Sequence, residues 1–174
     1  MFDTEIGELA ASVLAACRAK RWRLATAESC TGGLVAAALT AIAGASDVVD
    51  RGFVTYANKA KVELLGVPEA TLAAHGAISA ETALAMAAGA VSRARVDLAV
   101  SVTGIAGPSG GSAEKPVGLV YLGIATKDSV RSERHVFPGD RDSVRRAAMI
   151  RALEMLKEAA GYAGAPAPSG AGLP

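Results

Sequence analysis

Aromatic residues are scarce in this chain: one Trp, three Tyr and three Phe among 174 residues, 4% in all. A core built from such a sequence must rely on alanine, valine and leucine, and no stripe of aromatics interleaved with basic residues is present for nucleic-acid bases to stack on. Charge of one sign is missing as well. Eighteen Lys and Arg against 17 Asp and Glu leave a net charge of +1, so no overall field draws the molecule toward nucleic acid or an anionic membrane. Cysteine is limited to Cys17 and Cys30, too few for a disulfide framework, and the start Met1-Phe2-Asp3-Thr4-Glu5 lacks the basic region of a secretory signal. The expected compartment is the reducing cytoplasm. Only two histidines occur, and no Cys/His/Asp cluster has metal-ligand spacing, so neither a metal nor another cofactor is expected. Apolar runs such as Leu34 to Ala43 are too short to cross a bilayer.

What is present is an ordered alternation of helical and extended patterns. Leu9, Val13, Leu14 and Cys17 recur at helical spacing between Glu5 and Lys20. Trp22 to Ala27 reads as a strand, Leu34 to Ala43 as a helix and Gly52 to Tyr56 as a second strand. Asn58 is placed to cap a helix to Leu65, a short helix follows from Pro68 to Ala74, and Ser79 caps a longer one through Ser92. Asp97 to Val102 reads as a strand. The stretch Gly104 to Gly118 holds too many glycines and prolines for regular structure and reads as a functional loop. Leu119 to Thr126 and Val130 to Phe137 form a hairpin through Lys127-Asp128-Ser129, and Asp140 opens a last helix to about Ala160. The prediction is one α/β domain over residues 1–160, a three-layer α/β/α sandwich with a mixed, mainly parallel central sheet, and a disordered tail over 161–174 rich in Gly, Ala, Pro and Ser. Ligands of such folds gather where strand ends meet helix starts.

Glu28-Ser29-Cys30-Thr31-Gly32-Gly33 lies at such a junction. Serine before a helix is ordinarily an N-cap, and Thr31 can share that role. The two glycines, however, let backbone N–H groups approach a substrate closely, so Ser29 is a candidate nucleophile, with the backbone of Cys30, Thr31, Gly32 and Gly33 as the candidate oxyanion site. Cys30 is a rival nucleophile without an evident histidine base. His75 sits beside a turn glycine and His135 within a hairpin strand, so the favoured proton acceptor is Lys61, which a cleft would desolvate; a snorkelling surface lysine is the plain alternative. Lys59 faces Glu63 and reads as a solvated pair. Tyr56 either orients the lysine or packs against a substrate ring, with core packing as its plain alternative. Thr103-Gly104-Ile105-Ala106-Gly107-Pro108 has the character of a strand ending in a glycine-rich anion cradle, without a Walker or dinucleotide signature, and Thr103 would turn its hydroxyl into the cleft. Arg141 and Arg145 stand in the opening turns of the last helix, where a cation opposes the helix dipole. Either an anion such as phosphate accounts for them, or Asp140 and Asp142 neutralise a solvated face.

Taken together and in this order, Ala27 to Gly33, Tyr56 with Asn58 and Lys61, Thr103 to Pro108, Lys115-Pro116-Val117-Gly118 and Gly139-Asp140-Arg141 resemble the CinA C-terminal domain family, the nicotinamide-nucleotide amidases, in its stand-alone form. The resemblance runs from about Leu9 to Ala159. It implies hydrolysis of the carboxamide of nicotinamide mononucleotide to nicotinate mononucleotide and ammonia, without a metal, in an α/β/α sandwich that assembles as a homodimer or larger homo-oligomer. It also implies Ser29 as nucleophile, Lys61 as its proton acceptor, and Tyr56, Thr103 and Arg141 as further site residues. Asn58, Gly104, Ala106, Gly107, Arg141 and Arg145 are then the expected substrate-binding set. Two other readings stand beside it: a nucleotide-binding or competence-associated interaction module without chemistry, and a Ser/Lys amidase of another small amide.

Overall fold

The computed structural model describes residues 2–162. Helix α1 (Thr4–Lys20) is followed by strand β1 (Leu24–Glu28), helix α2 (Leu34–Thr40) and strand β2 (Val49–Val54). Three helices come next, α3 (Asn58–Leu65), α4 (Glu69–His75) and α5 (Ala80–Ala94). Strands β3 (Leu98–Gly104), β4 (Leu119–Thr126) and β5 (Val130–Val136) then lead into the last helix, α6 (Arg141–Tyr162). The five strands form one sheet in the order β2-β1-β3-β4-β5. β1 pairs in parallel with β2 and β3, whereas β3/β4 and β4/β5 are antiparallel, so the sheet is mixed with a parallel half around β1.

The strands alternate their faces, and the two faces receive different cores. Leu24, Leu98, Val100, Val102, Leu122 and Ile124 pack against α1, α2 and α6 through Val13, Leu14, Leu39, Leu153 and Leu156. Ala25, Ala27 and Ala99 face the other way, onto Leu65, Met86, Ala90 and Ala94. Small residues on that side let α5 come close. A Cβ on Gly89 would lie 2.0 Å from the Leu65 carbonyl oxygen, and one on Gly123 would lie 2.4 Å from the Ala83 carbonyl oxygen. The scarcity of aromatics is thus matched by thin helix-to-sheet layers filled with alanine.

Most element boundaries fall within a few residues of the sequence expectations, and the differences have local causes. α2 stops at Thr40 because Gly44 enters a 3-10 turn (Ala45–Asp47). β2 begins at Val49, earlier than expected, because parallel pairing with β1 recruits Val49 and Arg51 opposite Leu24 and Ala25. Asn58 is the first residue of α3 and not its cap; Ala57 holds that position, without a side-chain bond. Ser79 does cap α5, accepting from the Thr82 N–H. Asp140 accepts from Ser143 N and Oγ at the start of α6. Gly161 and Tyr162, placed by the sequence in a tail, continue α6; residues 163–174 lie outside the described residues.

Candidate active site

The three parallel strands end side by side, and each delivers one part of a single cleft. β1 runs directly into Glu28 and Ser29. The Ser29 backbone is pinned from both neighbours: its N–H donates to Val102 O on β3 at 2.9 Å, and Glu28 O accepts from Thr55 N beyond β2 at 2.8 Å. β2 leads through Thr55 and Tyr56 into α3, which carries Lys61, and β3 ends in Thr103 and the 104–118 loop. The sheet order places the chain's reversal of direction at β1, since β2 lies on one side of it and β3 on the other. Open α/β sheets bind ligands at such a point.

Lys61 is 1% exposed. Its Nζ lies 3.1 Å from Ser29 Oγ, 2.8 Å from Thr55 O and 3.3 Å from Tyr56 O. A neutral amine has two hydrogens and one lone pair. Two carbonyls that can only accept take the two hydrogens, which leaves the lone pair for the serine hydroxyl. Burial lowers the Lys61 pKa from its usual 10.5 and outweighs an opposing influence from Cys30. No carboxylate is bonded to Nζ among the described residues, so no counter-charge there offsets the cost of burial. Burial acts in the other direction on Cys30, pushing its thiol up to about 11. The hydroxyl therefore lies at hydrogen-bond distance from an amine whose burial favours its neutral form, while burial favours the protonated form of the thiol.

The cleft has a volume of about 320 Å³ and is bordered by Ser29, Cys30, Tyr56, Asn58, Lys61, Thr103, the Gly104–Gly107 stretch and Arg141. It contains no histidine and no carboxylate side chain. Thr103 donates its hydroxyl hydrogen to Ala77 O at 2.7 Å, so only its lone pairs remain for a ligand. Arg141 bridges the mouth, donating to Gly107 O at 2.8 Å and to the Tyr56 hydroxyl at 3.1 Å. The N–H groups of Ala106 and Gly107 have no acceptor among the described residues, as an anion cradle requires. The 104–118 loop is tied down by Lys115, whose Nζ donates to Ile78 O at 2.9 Å and to His75 O at 3.1 Å.

Other expected residues stand differently. Arg145 lies outside the residues bordering the cleft, its Nε and Nη2 each 3.1 Å from the carbonyl oxygens of Cys30 and Thr31. Of the four backbone donors expected at the oxyanion site, Gly32 N already donates to Ser29 O and Gly33 N to Glu28 Oε2. Cys30 N and Thr31 N are left, and of these two residues Cys30 borders the cleft. Neither Ser29 nor Thr31 caps α2; the Glu28 carboxylate does so, accepting from Gly33, Val35 and Ala36. The sequence reading passed over Glu28, although a carboxylate ending a strand just ahead of a helix start is what the helix dipole favours. It also passed over Ala77 and Ile78, whose backbone contributions leave no trace in residue type. His75 and His135 pair with Glu81 and Glu133 away from the cleft, and Lys59 pairs with Glu63 in solvent. A larger groove of about 750 Å³ lies at the opposite strand ends, between the β4/β5 turn and the end of α6, and holds neither Ser29 nor Lys61.

The family profile described as the CinA C-terminal domain matches residues 6–160. The chain belongs to the CinA C-terminal domain family. A member named nicotinamide-nucleotide amidohydrolase PncC, from Escherichia coli (strain K12), is 51% identical over 157 residues, 90% of this chain and 95% of that protein. A CinA-like protein of Syntrophobacter fumaroxidans is 55% identical over 139 residues, 80% of this chain, but the chain spans only 33% of its length. Within the family the fold is shared closely. The crystal structure of the competence/damage inducible protein CihA from Agrobacterium tumefaciens superposes with a TM-score of 0.89 at 50% identity, covering 92% of this chain and 98% of that one. No helix among the described residues is long and apolar enough to cross a membrane.

Proposed function

We propose that the domain hydrolyses the carboxamide of nicotinamide mononucleotide to nicotinate mononucleotide and ammonia, returning pyridine nucleotide toward NAD, with Ser29 as nucleophile and Lys61 as its base. The observation that carries this reading is the buried Lys61 Nζ at 3.1 Å from Ser29 Oγ, with two carbonyls taking its remaining hydrogens. A relative of nearly the same length named as an amidohydrolase of this nucleotide supports the substrate. As the hydroxyl attacks the amide carbon, its proton passes to Lys61 and the C–O bond forms. The oxyanion is met by free backbone N–H of the Cys30 turn. Lys61 then gives the proton to the departing nitrogen, the C–N bond breaks, and ammonia leaves an acyl-serine that water hydrolyses. Thr103, with its hydrogen committed to Ala77 O, offers lone pairs to the carboxamide N–H₂. The unpaired Ala106 and Gly107 N–H groups, with Arg141 and Asn58, form the side of the cleft suited to the nucleotide's polar end, so binding there positions the amide.

The same reading includes a cytoplasmic location and a homodimer or larger homo-oligomer. The exposed Val54 and Tyr56 beside the cleft, at the end of the sheet-edge strand β2, are the surface that suits self-association. The test is ammonia release from nicotinamide mononucleotide by wild type, Ser29→Ala and Lys61→Ala. Turnover by wild type and a loss of at least about a thousandfold in each variant are expected for a two-residue nucleophilic unit; unchanged turnover by Ser29→Ala sinks the assignment.

A further inference from the structure

Glu28 is fully buried, yet its carboxylate touches no reacting group. Each of its oxygens receives two donors: Thr26 Oγ1 at 3.1 Å and Ala36 N at 2.9 Å on Oε1, and Gly33 N at 3.0 Å and Val35 N at 3.1 Å on Oε2. A carboxylate offers about four lone-pair sites, and here all are filled by donors. The amides at the start of α2 are thereby removed from the reach of any incoming anion. From the other side, Arg145 on α6 holds the carbonyls of Cys30 and Thr31 through Nε and Nη2, while its Nη1 lies 3.8 Å from Asp142. The turn after Ser29 is gripped by its donors from within and by its acceptors from outside. Among the described residues the N–H groups of Cys30 and Thr31 are left without an oxygen acceptor, and of the two Cys30 borders the cleft.

We infer that Glu28 and Arg145 are positioning residues, a two-sided clamp that holds the Ser29 turn in the shape that keeps the Cys30 amide free for the oxyanion. The inference rests on the amidase reading above and assigns Arg145 to the turn in place of the substrate phosphate. The physical need is clear from the glycines. Gly32 and Gly33 both have positive φ, 60° and 99°, so the turn has little intrinsic preference for one shape and must be fixed by its partners. Glu28→Gln keeps the volume but replaces two acceptor sites with an N–H₂ group. Whichever way the amide lies, at least one backbone N–H of the α2 start then meets a donor, and the turn shifts. Displacement of about 1 Å near a reacting centre can cost about a hundredfold in rate.

The experiment measures kcat and KM for nicotinamide mononucleotide in wild type, Glu28→Gln and Arg145→Lys. It also measures binding of two probes: nicotinate mononucleotide, the product, and 3-pyridinecarboxaldehyde mononucleotide, whose carbonyl forms a tetrahedral hemiacetal with a serine. Both variants are expected to lose about tenfold to a hundredfold in kcat and a similar factor in aldehyde affinity. KM and product affinity should stay within about threefold, since a clamp on the oxyanion turn leaves ground-state binding alone. Cooperative thermal unfolding of each variant confirms that the fold is intact; should Glu28→Gln not fold, Arg145→Lys carries the test, because it lies on the outer side of the turn. Variants with wild-type kcat overturn the clamp. So does an Arg145→Lys protein whose KM and product affinity weaken while kcat holds, which makes Arg145 a phosphate ligand. A wild-type protein that releases no ammonia sinks the amidase reading itself, and the clamp with it.

Discussion

At the scale of single residues, the account turns on how burial treats two side chains that flank the Ser29 hydroxyl. Lys61 and Cys30 are both desolvated, and desolvation favours the neutral form of each, which suits the proposed roles of the amine as base and the hydroxyl rather than the thiol as nucleophile. Cys30→Ala should therefore keep ammonia release within about threefold of wild type, since only a small buried group is lost; loss of activity on the scale of Ser29→Ala would make the thiol the nucleophile. Lys61 also leaves a mark on stability. Its native pKa lies below the 10.5 of an unfolded chain, so the unfolded state binds more protons and the penalty for burying it eases as pH rises through the window between the two values. Relative to Lys61→Met, the melting temperature of wild type should improve as pH rises from the lowered native pKa toward 10.5. A pH-independent difference would show that the lysine is not desolvated.

At the scale of elements, α3 is the part that must be set correctly, because it brings Lys61 over the sheet edge. Its C-terminal end rests against α5 at Gly89, where a Cβ would lie 2.0 Å from Leu65 O and 3.2 Å from Leu65 Cβ. Gly89→Ala gains helix propensity of up to about 1 kcal/mol but forces the two helices apart, a packing cost of about 1–3 kcal/mol. We expect a net loss of stability in denaturant titration, accompanied by reduced kcat; a stabilised and fully active variant would mean that α3 is free to adjust. On the opposite flank, Glu133 on β5 is gripped by Arg151 at 2.8 Å, with Arg131 and His135 alongside. The Arg151 guanidinium holds this carboxyl far below its usual 4.5. Its contribution is full above about pH 4.5, declines below that value as the unfolded chain protonates, and vanishes only at the depressed native pKa. Glu133→Gln should cost about 1–2 kcal/mol at pH 7, the value of a charge-assisted hydrogen bond partly open to solvent. The difference should shrink as unfolding is measured at successively lower pH below 4.5, without affecting turnover at pH 7.

Across the whole molecule, the sequence made the architecture legible because its signals were periodic and punctuated. The hairpin Leu119–Thr126 with Val130 onward, the Ser79 cap and the glycine breaks all act locally. Strand order, the pairing of β1 between β2 and β3, and the exposure of Lys61 are long-range outcomes, and no local pattern encodes them. Ser29 and Lys61, 32 residues apart, were nominated separately by a turn and by a helix face; the fold brings them to 3.1 Å because β1 and β2 are parallel neighbours. Glu28 and Arg145 escaped notice as a pair because what they bind is backbone, and backbone carries no sequence signal. Asn58 is not the cap for a related reason: the chain enters α3 from β2 with Ala57 extended, so the helix starts one residue earlier than the cap rule places it.

The central claim is that Lys61 is uncharged when it meets Ser29, and the most direct test is to follow the Lys61 side chain by NMR, titrating its ε-carbon resonance with pH in the intact protein. The account predicts a midpoint clearly below 10.5, matching the rising limb of the pH profile of kcat/KM for ammonia release. A midpoint at or above 10.5, or one unrelated to the kinetic limb, would contradict it.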